Sequence, residues 1–67
     1  MIVTYNNEET ILPENVHTIQ DLAKWKEIPQ QGSAIALNNK LVKRTQWENT
    51  FLNNFDKITV IIAAFGG

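Results

Sequence analysis

A chain of 67 residues without a cysteine has to be held together by one small apolar core. A domain this short buries only about 60% of the surface its unfolded chain exposes. No disulfide or thiolate metal site can supplement that burial. Every strand and helix must therefore share one interior, and little chain is left for a separate catalytic apparatus.

Periodicity and turn signals divide the chain into short pieces. Met1, Val3 and Tyr5 alternate with Ile2 and Thr4, which is a strand period. Asn6-Asn7-Glu8-Glu9 reads as a hairpin loop, and Thr10 to Leu12 as the returning strand. Pro13 cannot donate to a sheet ladder, so that strand ends there or lies at an edge. Thr18 is a candidate N-cap, with Asp21 placing negative charge in the first turn of a helix. Ile19, Leu22 and Ala23 form its apolar stripe and Trp25 its shoulder. Ile28-Pro29 is expected to end it. A strand from Ser33 to Leu37 follows, with Ile35 buried, then an Asn38-Asn39 turn and a short strand from Lys40 to Lys43. Arg44 to Asn54 is expected to be irregular or one helical turn, anchored by Trp47, Phe51 and Leu52. Lys57 to Ile62 is the most strand-like segment, with Ile58, Val60 and Ile62 on one face and Thr59 and Ile61 on the other.

The order is strand, strand, helix, strand, short strand, strand. A helix must cover one face of such a sheet. The expected fold is α+β, a ubiquitin-like β-grasp: a mixed sheet of four to five strands, with the first and last paired in parallel at the centre. That pairing needs a long crossover, and the helix lies within it. The expected division is a folded domain over residues 1–62 and a flexible tail over 63–67.

Charge and composition narrow the function. Six basic residues face seven acidic ones and form no run, which disfavours nucleic acid as a partner. No apolar run is long enough to span a bilayer, and Met1 to Asn7 lacks the features of a signal peptide. The expectation is a soluble cytoplasmic protein, monomeric when free. The eight asparagines read as a compositional bias rather than as chemistry.

The sequence ends in Gly66-Gly67. Glycine makes up about 7% of average sequence, so two in the last two positions arise by chance in roughly 0.5% of chains. Such an end can be an inert flexible tail. It can also be a reacting group. An enzyme that activates a terminal carboxylate with ATP must draw the chain end into its site, and residues without Cβ pass a narrow channel in any backbone conformation. Extended at about 3.3 Å per residue, residues 63–67 reach roughly 16 Å.

One internal segment narrows the reading further. Ala36, Asn38, Val42, Arg44 and Trp47, followed by Asp56, Ile58 and the terminal Gly66-Gly67, match an Ala-x-Asn turn, a Val, an Arg-x-x-Trp and an acidic turn before the last strand. In these residues the whole chain resembles the ThiS family, the sulfur carrier proteins of thiamine biosynthesis. Two positions depart from the family pattern: Lys43 stands where proline is frequent, and Phe55 precedes Asp56 where glycine is common. Asn54 is expected to take the positive φ that such a glycine supports.

The resemblance implies that Gly67 is the modified residue, adenylated and then converted to a thiocarboxylate, with Gly66 as its conformationally free neighbour. It implies a ThiF-like adenylyltransferase, a cysteine desulfurase sulfur relay, and a ThiG-like thiazole synthase as acceptor. The carrier itself binds no cofactor and is not an enzyme; ATP and Mg²⁺ belong to the adenylating partner. Other readings remain: a molybdopterin synthase small-subunit-like carrier, a ubiquitin-like modifier or interaction module, and an OB-fold or cold-shock type binder.

Several side chains carry two readings each. Ile61, with Ile2 beside it, is either a partner-contact residue on the outer sheet face or an ordinary exposed apolar residue. Phe65 either anchors the tail in a partner's groove or folds back on the domain. Arg44 either meets an acidic partner or pairs with a nearby carboxylate. Trp47 reads as a core or rim anchor. His17, the one histidine, has no second ligand for a metal and no nucleophile beside it. Glu8 and Glu9 read as a solvated turn.

Overall fold

Five strands form one sheet in the computed structural model, which describes residues 1–63. They are β1 (Ile2–Tyr5), β2 (Glu8–Ile11), β3 (Ser33–Leu37), β4 (Lys40–Val42) and β5 (Lys57–Ile62), in the order β2-β1-β5-β3-β4. β1 and β5 run parallel with Tyr5 opposite Ile58, and every other neighbouring pair is antiparallel. The helix α1 (Ile19–Trp25) lies in the crossover, as a parallel pair requires. This is the expected β-grasp.

The alternation read from the sequence sets the layers. Val3, Ile35, Ile58 and Val60 on one sheet face meet Ile19, Leu22 and Ala23 of α1, and Leu12, Val16, Ile28, Trp47 and Leu52 close the rim. Trp47 is buried, and its indole N–H donates to the Val42 carbonyl at 3.1 Å. Phe51, expected as an anchor, is instead exposed. Its backbone bridges to Thr18, and the alternation this imposes turns Leu52 inward and Phe51 outward. Ile62, expected on the core face, is also exposed, because β5 runs past the end of the core.

Both hairpins turn on asparagine pairs. Asn6 and Asn7 have φ of 47° and 69°, and Asn38 and Asn39 of 50° and 70°. Two consecutive positive φ values give the twist of a type I′ turn, and asparagine tolerates them better than most residues. The first loop is therefore only two residues long, and Glu8 and Glu9 belong to β2 rather than to a turn. The asparagines are thus not a compositional accident.

α1 has a capping box. The Thr18 hydroxyl accepts from the Asp21 N–H at 3.1 Å, and the Asp21 carboxylate accepts from the N–H groups of His17 at 3.0 Å and Thr18 at 3.2 Å. The His17 N–H first, and then Thr18, hold the Asp21 carboxyl below the usual carboxylate range. A carboxyl depressed on folding contributes stability above its unfolded pKa and loses it as pH falls through the folded value. Asp21→Asn should therefore be less stable than the wild type at neutral pH, with the gap closing in acid; urea midpoints at several pH values check this.

The helix stops before Ile28-Pro29. Glu27, at φ 54°, forms a Schellman end: its N–H bonds the Lys24 carbonyl and the Ile28 N–H bonds that of Ala23. The boundary is thus set by the left-handed residue, and Pro29 only follows it.

Candidate functional site

The end of the molecule where β5 stops is built from four segments. Ser33 pairs with Ile62, and the Ala63 N–H donates to the Gly32 carbonyl, so the chain stays bonded to the β3 side up to residue 63. On the other side β1 ends at Tyr5, level with Ile58. The Asn6 side chain then reaches Val60, accepting its N–H at 2.7 Å and donating to its carbonyl at 3.2 Å. The C-terminal end of α1 lies near Tyr5, for the Lys26 ammonium sits 4.8 Å from the Tyr5 ring centre and 4.9 Å from that of Trp25. Burial pushes the Tyr5 phenol up. Arg44 also approaches this end, donating to the Gln30 amide oxygen at 2.9 Å. Its partner is thus a neutral amide and not the carboxylate expected.

Of the residues expected to act, Ile61 is described. It is 65% exposed on the face opposite α1, paired across to Ala34. The next row on that face is Thr59, Ala36 and the exposed Leu41. On that face Thr59 and the two alanines lie between the exposed Ile61 and Leu41, a residue that periodicity did not single out. Ile2 is not beside Ile61. It is level with Phe55, roughly 20 Å away at about 3.3 Å per residue, next to Ile11. Phe65, Gly66 and Gly67 lie outside the described residues.

The opposite end of β5 explains the rest of the internal motif. The Asn38 amide donates to the Asp56 carboxylate at 3.0 Å and accepts the Lys57 N–H at 2.9 Å. The other Asp56 oxygen accepts the Asn53 N–H at 2.7 Å. The motif residues Asn38 and Asp56 thus start β5 in register, while Trp47 holds β4 through Val42.

A family model, that of the ThiS family, matches residues 2–67. The chain belongs to the ThiS family. Membership makes it a small carrier protein of thiamine biosynthesis that works with partner enzymes. The crystal structure of the thiamine biosynthesis protein ThiS from Geobacter metallireducens has a TM-score of 0.82 to it at 17% identity, covering all of both chains. A solution structure of a thiamine biosynthesis protein from the same organism scores 0.84 at 16% identity, covering 100% of this chain and 88% of that one. At these identities the likeness shows the shared fold. No curated protein matches the chain. Among the described residues no helix is long and apolar enough to cross a membrane, and no three metal-binding side chains come together.

Against that family pattern Phe55 is the departure with a structural consequence. Asn54 does not take the positive φ; Phe55 itself does, at 69°, with its ring 77% exposed. Asn54 instead uses its side-chain oxygen to accept the Ile2 N–H at 2.8 Å. A residue with Cβ in that region costs about 1–2 kcal/mol, and glycine gives part of this back as unfolded-state entropy. Phe55→Gly should stabilise the domain by about 0.5–1 kcal/mol, read as a higher urea midpoint at an unchanged slope.

Proposed function

We propose that this chain carries sulfur as a thiocarboxylate on Gly67. The observation that supports the reading most is the match of the ThiS family model through Gly67, the second of the two closing glycines. A free carboxylate resists sulfur nucleophiles. In the proposed cycle a ThiF-like partner holds MgATP, and a Gly67 carboxylate oxygen attacks the α-phosphorus. Pyrophosphate leaves and an acyl-adenylate remains. A persulfide sulfur supplied by a cysteine desulfurase relay attacks the acyl carbon, and AMP leaves. A second thiolate then cleaves the S–S bond, leaving the thiocarboxylate and a disulfide. A ThiG-like thiazole synthase takes the sulfur.

The chain's own part is presentation. Residues 63–67 form the proposed tail, but Ala63 is still bonded to Gly32, so the reach beyond the sheet comes from residues 64–67. Four residues span at most about 13 Å. Gly66 and Gly67 leave the backbone free to enter a narrow channel. Ile61, Leu41 two strands away on the same sheet face, and Phe65 are the proposed contacts with the partner.

The direct test is ATP–pyrophosphate exchange by a ThiF-like enzyme with this chain as acceptor. Exchange is expected with the full chain and should vanish when Gly67 is deleted. Exchange that survives the deletion would remove Gly67 from the reaction.

A further inference from the structure

We infer that Asn6 is a positioning residue: its side-chain amide holds Val60 in β5, the strand that leads into the C-terminal tail, and so supports the presentation of Gly67 to the adenylating partner. The inference rests on the reading of Gly67 as the reacting end.

β1 stops alongside β5 before β5 is complete. The last backbone bond between them is from the Asn6 N–H to the Ile58 carbonyl, at 2.9 Å, and the chain then turns away through Asn6 and Asn7. From that point β5 would have a bare edge. The Asn6 amide fills the next step. One planar group satisfies both polar groups of Val60, accepting at 2.7 Å and donating at 3.2 Å. It takes the place that the next peptide of a longer β1 would hold. On the far side the Gly32 carbonyl holds Ala63. Val60 is thus held from the β1 side and Ala63 from the β3 side, shortly before residue 64.

The turn alone does not call for this arrangement. A positive φ at position 6 is met by glycine at no steric cost. Nothing in a type I′ turn directs the first side chain to a residue 54 positions along the chain. Strand ends fray when their backbone groups face water. β3 and Gly32 keep the other edge of β5 paired, so loss of the amide would loosen one edge of the strand only; even so, a displacement of about 1 Å at a reacting atom can cost on the order of a hundredfold in rate.

Asn6→Gly keeps the turn and removes the amide. Asn54→Ala removes one hydrogen bond at the opposite end of β1 and serves as the control for simple loss of stability. In Asn6→Gly the Val60 amide should exchange with solvent about tenfold faster or more, while that of Ile35 is unchanged. With a ThiF-like enzyme, kcat for adenylation should fall about tenfold with KM within about twofold, since docking is kept and orientation is lost. Asn54→Ala should keep both constants. Unchanged exchange at Val60, or faster exchange with an unchanged kcat, would overturn the assignment, as would an equal loss in Asn54→Ala. If the wild-type chain is not adenylated by an enzyme that charges its own carrier, the Gly67 reading fails and the positioning role falls with it.

Discussion

Trp47→Ala should leave little folded protein even at room temperature. The indole is 1% exposed and sits among Val16, Leu22, Ile35 and the other core residues. Truncating a buried tryptophan costs about 3–5 kcal/mol in lost burial and residual cavity. The Val42 carbonyl also loses its donor, adding roughly 1 kcal/mol. A domain of this length has roughly 3–10 kcal/mol in total. The loss is therefore comparable with the whole stability. Trp47→Phe separates the two contributions: it keeps most of the apolar volume, and should remain folded with a deficit of about 1–2 kcal/mol. Trp25, at 39% exposure, stays available as a fluorescence reporter in both variants. A well-dispersed amide spectrum for Trp47→Ala would show that the core closes without it.

Asn38→Ala should be the most damaging surface substitution. Three effects add at one position. The Asp56 carboxylate loses the amide donor, the Lys57 N–H loses its acceptor, and alanine must take φ of 50°. At about 1 kcal/mol each the sum is roughly 2–3 kcal/mol. For a domain of this size that lowers the melting temperature by about 10–20 °C. Asn38→Gly restores the backbone freedom alone, so it should recover about a third of the loss. Equal melting temperatures for Asn38→Ala and the wild type would mean that β5 needs no anchor at its start. The two substitutions together divide the Ala-x-Asn motif into a turn requirement and a strand-register requirement.

Much of this architecture is legible in residue order. Alternation in Met1 to Tyr5 and in Lys57 to Ile62 marks the two central strands, because a face that must be buried leaves a period of two. Thr18 and Asp21 mark the start of α1, because a capping box is a local device. Local devices with two possible readings are less secure. Pro29 looks like the helix terminator, yet Glu27 takes the left-handed conformation first, and a glutamate gives no sign of that. Phe51 looks like an anchor because it is large and apolar; the bridge to Thr18 that turns it outward involves a segment 33 residues away.

The site depends most on contacts of this long-range kind. The Asn6–Val60 and Asn38–Lys57 bonds join residues 54 and 19 positions apart. No period or spacing points to them, and so the asparagines look like mere composition in sequence. The separation of Ile2 from Ile61 follows from the parallel register of β1 and β5, which alternation cannot supply. The tail chemistry is the reverse case. Gly66 and Gly67 are plain in the sequence, and the role proposed for them rests on family membership.

The central claim concerns one atom at Gly67. Intact mass spectrometry after incubation with a ThiF-like enzyme, MgATP and a cysteine-desulfurase sulfur source reads it directly. The account predicts a mass gain equal to replacement of one oxygen by sulfur, absent when Gly67 is deleted. An unchanged mass, under conditions in which the same enzyme charges its own carrier, would contradict it.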